Sequence, residues 1–273
     1  MTTATLPRAA AQSAGGRYGF RTVARMEWLK LRSVRSTRWT LLVFAAGMIA
    51  LAILVLNHAH WATMSAADRA SFDPTNDGFA GLLIGQLAVG VLGVLVITSE
   101  FSSGMIRATF AAAPRRPVVL AAKAAVFTAV ALAAGEILAF AAFAAGEAVL
   151  KAPAPHASLA QPAVLRAVLL AGAYPALIGL IGLGLGAAIR HTAAAISAVA
   201  GVLFVLPLIL LPLGTSIQNS AGKFMPMLMA ENSLSAVKAQ ADTLSPGVAF
   251  ALLCGYAAVA LAAGGWVLAR RDA

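Results

Sequence analysis

Six separate stretches of this chain are each long and apolar enough to cross a lipid bilayer, and no other feature limits the fold as strongly. A hydrocarbon core of about 30 Å is crossed by a helix of about 20 residues, because in lipid every backbone N–H and C=O must be satisfied within the segment. The stretches cover residues 39–56, 79–98, 124–145, 165–189, 193–213 and 247–269, and only Arg190, His191 and Thr192 divide the fourth from the fifth. With 60% hydrophobic and 11% charged residues, the chain carries more apolar surface than one water-soluble core can bury. The expected architecture is an all-α integral membrane protein with both termini cytoplasmic. It has a disordered tail over 1–17, an amphipathic segment over 18–38, a single transmembrane domain over 39–269 and a short cytoplasmic tail over 270–273. No apolar run precedes Trp39, so the first run is expected to stay as a membrane anchor and not to be cleaved as a signal peptide.

The formal charge of +10 would suit nucleic acid if Lys and Arg covered a solvated face. Here they collect between apolar runs, which is the pattern of membrane topology and excludes a nucleic-acid partner. With the N-terminus inside, fifteen of the 20 basic residues fall on the cytoplasmic side, including eight before Trp39 and Arg107, Arg115, Arg116 and Lys123 after the second run. Inverting the chain would export that excess.

Placed on a helical wheel, the segment from Tyr18 to Arg35 puts Phe20, Val23, Ala24, Trp28, Leu31 and Val34 on one arc, flanked by Arg21, Arg25 and Arg32. Such a helix is expected to lie along the inner membrane surface with its arginines at lipid phosphates. Glu27 falls in the middle of the arc. A bare carboxylate against lipid is costly, so it is expected to meet a protein donor, the alternative being a glutamate that snorkels to water.

The loop after the second run reads Thr98, Ser99, Glu100, Phe101, Ser102, Ser103, Gly104, Met105, Ile106, Arg107, then 108–113 and Pro114, Arg115, Arg116, Pro117. Helix formers ahead of a basic, proline-bounded end predict a short cytoplasmic helix. The loop is longer than a chain reversal needs, so it can present a surface.

In these two segments the sequence resembles the permease subunits of type-2 ATP-binding-cassette (ABC) transporters, the bacterial exporter class. The likeness rests on Glu27, Trp28, Leu29, Lys30, Leu31, Arg32 and Ser33 with Arg35, Ser36, Thr37, Trp39 and Thr40, and on the run from Thr98 to Arg107 with Pro114, Arg115 and Arg116. The six-run plan extends it over nearly the whole chain. The resemblance implies an elbow helix carrying Glu27, Trp28, Lys30 and Arg32. It also implies a coupling helix that docks in a groove of a separate ATPase subunit. Glu100 and Arg107 would then be polar contacts to the ATPase, Phe101, Met105 and Ile106 would anchor the loop by burial, and Ser102, Ser103 and Gly104 would complete the contact loop. Local helix-end contacts are the alternative role for Glu100 and Arg107. The resemblance further implies a homo- or heterodimer of permeases, a bacterial plasma-membrane location, and ATP and Mg held only by the partner ATPase.

No catalytic residue is identified, and no cofactor is expected on this chain. The phosphate cradle G-x-x-x-x-G-K-[ST] is absent, its nearest approach being Ser220, Ala221, Gly222, Lys223 and Phe224. His58, His60, His156 and His191 form no H-E-x-x-H, and the single Cys254 has no thiol partner, so no metal site is expected. Glu136 is the one carboxylate near the middle of a run and must face protein or a watery cavity. Contact with substrate, a place at a dimer seam, and a protonated glutamate bonded to a neighbouring helix all fit it. Gly81 with Gly85 and Gly182 with Gly186 allow close helix packing. Pro175, Pro207 and Pro212 are expected to kink their helices. The stretch 214–246 admits either short helices at the outer leaflet or a surface loop. An ion-coupled secondary transporter using Glu136 and a non-transporting membrane scaffold are the rival functions.

Overall fold

A computed structural model describes residues 19–59, 61–113, 115–213, 220–236 and 244–270, and within them every regular element is helical. The tail over 1–17 and residues Tyr18, His60, Pro114 and 271–273 lie outside the described residues. The chain runs through α1 (Phe20–Ser33), α2 (Arg35–Asn57), the short α3 (Ala66–Ser71) and α4 (Pro74–Asp77), then α5 (Leu82–Ser102), α6 (Met105–Ala112), α7 (Arg116–Val149) and α8 (Pro162–Ile189). It ends with α9 (Thr192–Ala200), a π-turn over Gly201–Val205, α10 (Leu206–Leu210), α11 (Pro226–Leu234) and α12 (Pro246–Arg270).

Six of these rods meet the length and hydropathy of a membrane span: α2, α5, α7, α8, the continuous unit Thr192–Leu210, and α12. The protein is a multi-pass membrane protein. Apolar side chains that face outward, such as Leu42 and Leu54 on α2, Leu208 and Ile209 on α10 and Val259 on α12, are exposed in the isolated chain and suited to lipid.

The helix α8 forms the centre and packs against α5, α7 and α12. Lipid tails do not drive helices together, so close contact depends on small residues that let backbones approach. A Cβ at Gly93 would run into the Gly179 carbonyl, one at Gly182 into the Gly90 carbonyl, and one at Gly264 into the Gly184 carbonyl. Both small-residue pairs are used inside the chain: Gly81 and Gly85 receive Met48 and Phe44 of α2, while Gly182 and Gly186 receive α5.

Most span boundaries differ from the sequence reading by a few residues, α5 running on to Ser102 so that Glu100 and Phe101 belong to it, and three differences have a local physical cause. The amphipathic helix stops at Ser33 because Val34 is extended, and residues 35–38 already belong to the first span. The span α7 begins at Arg116, ahead of position 124, because Pro117 suits the first turn of a helix and lacks only an N–H that has no partner there. That proline therefore starts α7, and α6 ends earlier, at Ala112. Pro175 sits inside an unbroken α8, whereas Pro207 follows a π-turn in which Leu206 N–H donates to Gly201 O. A widened turn there accommodates the ring and the missing donor. Within 214–246, α11 is a short helix.

Candidate functional site

The most distinctive chemistry lies where α1, α5, α6 and α7 meet. Lys123 Nζ donates to Glu27 Oε2 at 2.6 Å and to Glu100 Oε1 at 2.5 Å, while Lys30 Nζ donates to Glu27 Oε1 at 3.0 Å and to Glu100 Oε1 at 2.8 Å. Two carboxylates and two ammonium groups thus alternate around a closed ring of zero net charge. Thr109 Oγ1 donates to Glu100 Oε2 at 3.2 Å, and Val96 O takes the third Lys123 proton at 3.4 Å. Glu27, Glu100 and Lys123 are buried, and only the Lys30 side chain, 32% exposed, reaches solvent. Burial opposes the charge on Lys30, but the Glu100 and Glu27 carboxylates outweigh it and hold its pKa above the ordinary lysine value.

The local sequence explains how these groups converge. Val23, Glu27 and Leu31 recur every four residues and form the buried stripe of α1, which lies on α7. Val23 meets Ala113, Val119 and Ala122 there, so α1, α7 and the end of α6 share one small apolar cluster. The outer stripe of α1 carries Trp28 and Arg32, both exposed.

The helix α5 ends by a local device. Ser102 and Ser103 hydroxyls both donate to Ser99 O, at 3.1 and 2.7 Å, and Gly104 then takes φ = 72°, a left-handed conformation that glycine adopts without strain. That turn redirects the chain into α6. Ile106 and Thr109 face inward and Ala113 follows them, whereas Ser102, Ser103, Gly104, Met105 and Arg107 are exposed. Phe101 is half-buried under the Arg190 guanidinium, 5.3 Å from its ring centroid. The segment therefore has an anchored inner side and a free outer side that displays Met105 and Arg107.

Glu100, expected to lead the polar contacts to a partner, turns inward and spends both oxygens on Lys30, Lys123 and Thr109. Lys123 and Thr109 were not singled out from sequence. Lys123 reads as the last basic residue before an apolar run, one of many cations at that end of the bundle, and no sequence signal separates it from Arg107, Arg115 and Arg116 as the partner of Glu27 and Glu100. Two arginines hold the same end of α12: Arg116 donates to Leu268 O at 3.0 Å and Arg190 to Val267 O at 3.2 Å, satisfying last-turn carbonyls. A cavity of about 450 Å³ opens beside the ion ring, between Leu31, Thr37, Leu92, Val96, Ser99 and Met105.

Glu136 stands apart from this cluster. It lies midway along α7, half-buried, with Oε2 enclosed against Gly172 of α8 and without a hydrogen-bond partner among the described residues. His58 Nδ1 lies 2.8 Å from Leu54 O, and among the described residues no three His, Cys, Asp or Glu side chains gather as a metal-binding group. Cys254 is exposed on α12. Comparison with protein-family models and with curated proteins gives no match.

Proposed function

We propose that this chain is the membrane permease subunit of a bacterial ABC exporter, paired with a second permease and driven by a separate ATPase that docks on α6. The observation that carries this reading is the two-sided build of residues 100–112. Its inner side is tied to α1 and α7 by the Glu100 ring, and its outer side offers Met105, half exposed, and Arg107. A surface meant to transmit force must be stiff against the body it moves and open to the partner that pushes it. The charge distribution supports placing this end in the cytoplasm, with α1 as an elbow at the inner leaflet. Alternating access then needs two packings of similar energy and no covalent chemistry from this chain.

Co-purification from native membranes tests the proposal. A tagged chain is expected to bring down a nucleotide-hydrolysing subunit in about equal amount. Met105→Asp with Arg107→Glu should lower that recovery about tenfold or more while leaving membrane insertion and melting temperature unchanged, since neither side chain supports the fold. Recovery of no ATPase favours a scaffold, and recovery insensitive to both substitutions places the contact elsewhere.

A further inference from the structure

The end of the bundle opposite the ion ring holds a partly open cavity of about 280 Å³, lined by the end of α2, α4, the start of α5, α8 and α11. Its walls are mainly apolar, with Phe79, Leu83, Tyr174 and Met227 among them, and Asp77 and Glu231 both face it. Tyr174 and Gln86 are buried in the wall and joined by a 2.5 Å hydrogen bond, which fixes the ring edge and the amide in place. Asp73 lies buried behind Asp77, and its own carboxylate is occupied by the Thr75 and Asn76 amides and by Ser235 and Ala236.

Asp77 and Glu231 differ from Asp73 in one respect. Among the described residues, neither carboxylate accepts a hydrogen bond or pairs with a cation, and no Lys or Arg lines the cavity. Burial, with the negative charges of Asp73 and Glu231 added, pushes Asp77 up to about pH 6. A half-buried carboxylate that no cation among the described residues compensates, at the edge of an apolar chamber, matches a ligand that brings both positive charge and an apolar body. Two carboxylates on a mostly hydrocarbon wall are too few oxygens for a hard divalent ion, which takes six or more, whereas an organic cation also gains from aromatic walls.

We infer that this cavity binds a monovalent lipophilic cation, its charge held by Asp77 and Glu231 and its apolar body resting against Phe79, Leu83 and Tyr174. The site goes beyond the permease reading and does not depend on it, because binding is a property of this chain alone.

The test uses the purified full chain in nanodiscs of zwitterionic lipid, with empty discs as the partition control. Tetraphenylphosphonium is titrated against its isosteric anion tetraphenylborate. Saturable binding of the cation and none of the anion is expected. Asp77→Asn with Glu231→Gln should weaken cation binding about tenfold or more, and so should acidification of the wild type from about pH 7.5 to about pH 5. The melting temperature of the variant reports whether it is folded, and Glu231→Gln alone, on an exposed position, serves if the pair fails to fold. Absence of saturable cation binding by the wild type, or equal binding by wild type and folded variants, would overturn the assignment. ATPase recovery is measured in parallel and is expected to be the same in all of them, so failure of the cation site and failure of the coupling reading remain distinguishable.

Discussion

Lys123 Nζ lies 2.5 Å from Glu100 Oε1, a contact between the third spanning helix and the end of the second that is sealed from solvent on both sides. Taking such charges out of water is expensive, and their mutual attraction repays the cost only when every member is partnered. Removing one member therefore does more harm than removing a matched pair. Lys123→Met leaves Glu27 and Glu100 to share Lys30 and is expected to cost on the order of 3 kcal/mol. Adding Glu100→Gln restores neutrality and should recover most of that loss. Thermal unfolding in detergent of the single and double variants measures it, and strict additivity of the two losses would contradict the closed ring.

The contact between α5 and α8 makes a second prediction. At Gly93 a single added methyl group runs into the Gly179 carbonyl, which is backbone and has nowhere to move. Gly93→Ala is expected to destabilise by roughly 1–3 kcal/mol. Gly47→Ala and Gly255→Ala, with nothing within 4 Å of the new Cβ, should not lower stability and should raise it slightly, because alanine favours the helix interior. Melting curves of the three variants side by side separate close packing from a general intolerance of glycine replacement.

Asp77 gives a pH dependence of definite sign. Its native pKa of about 6 exceeds the ordinary 3.8, so between those values the folded protein holds a proton that the unfolded chain has lost. The stability this group contributes is fully present below the unfolded value and is lost as pH rises through about 6. Other groups titrate as well, so the readout is the difference between wild type and Asp77→Asn. That difference should be near zero at low pH and should favour the variant by about 1 kcal/mol at neutral pH, after allowance for solvent screening of a partly exposed carboxyl. A gap that stays constant across the range would show that Asp77 titrates normally.

The spans were legible in the sequence because they answer to one local requirement, backbone satisfaction in hydrocarbon, which each segment meets by itself. Their ends were less so. Arg116 and Lys123 lie inside α7 because helical hydrogen bonding continues past the apolar run, and a basic residue read as a loop charge becomes a buried one once a carboxylate from another helix meets it. Glu100 was identified as a residue of consequence, yet its direction depends on where α1 and α7 pack, and periodicity carries no information on that. Arg107 was readable as a polar contact, but Met105 was readable only as an anchor to be buried by a partner, and the left-handed turn at Gly104 that leaves it exposed in the chain itself was not legible. The acidic cavity was missed altogether. Asp77 and Glu231 are 154 positions apart in sequence, and only the packing of α11 over α4 brings them to one chamber.

If an ATPase drives this chain through α6, a photo-crosslinking amino acid placed at position 105 in native membranes detects the contact most directly. An adduct containing a nucleotide-hydrolysing subunit, lost when Arg107 is changed to Glu, is the predicted result. Crosslinking from position 105 to lipid alone, or to no ATPase while the protein remains inserted and folded, would contradict it.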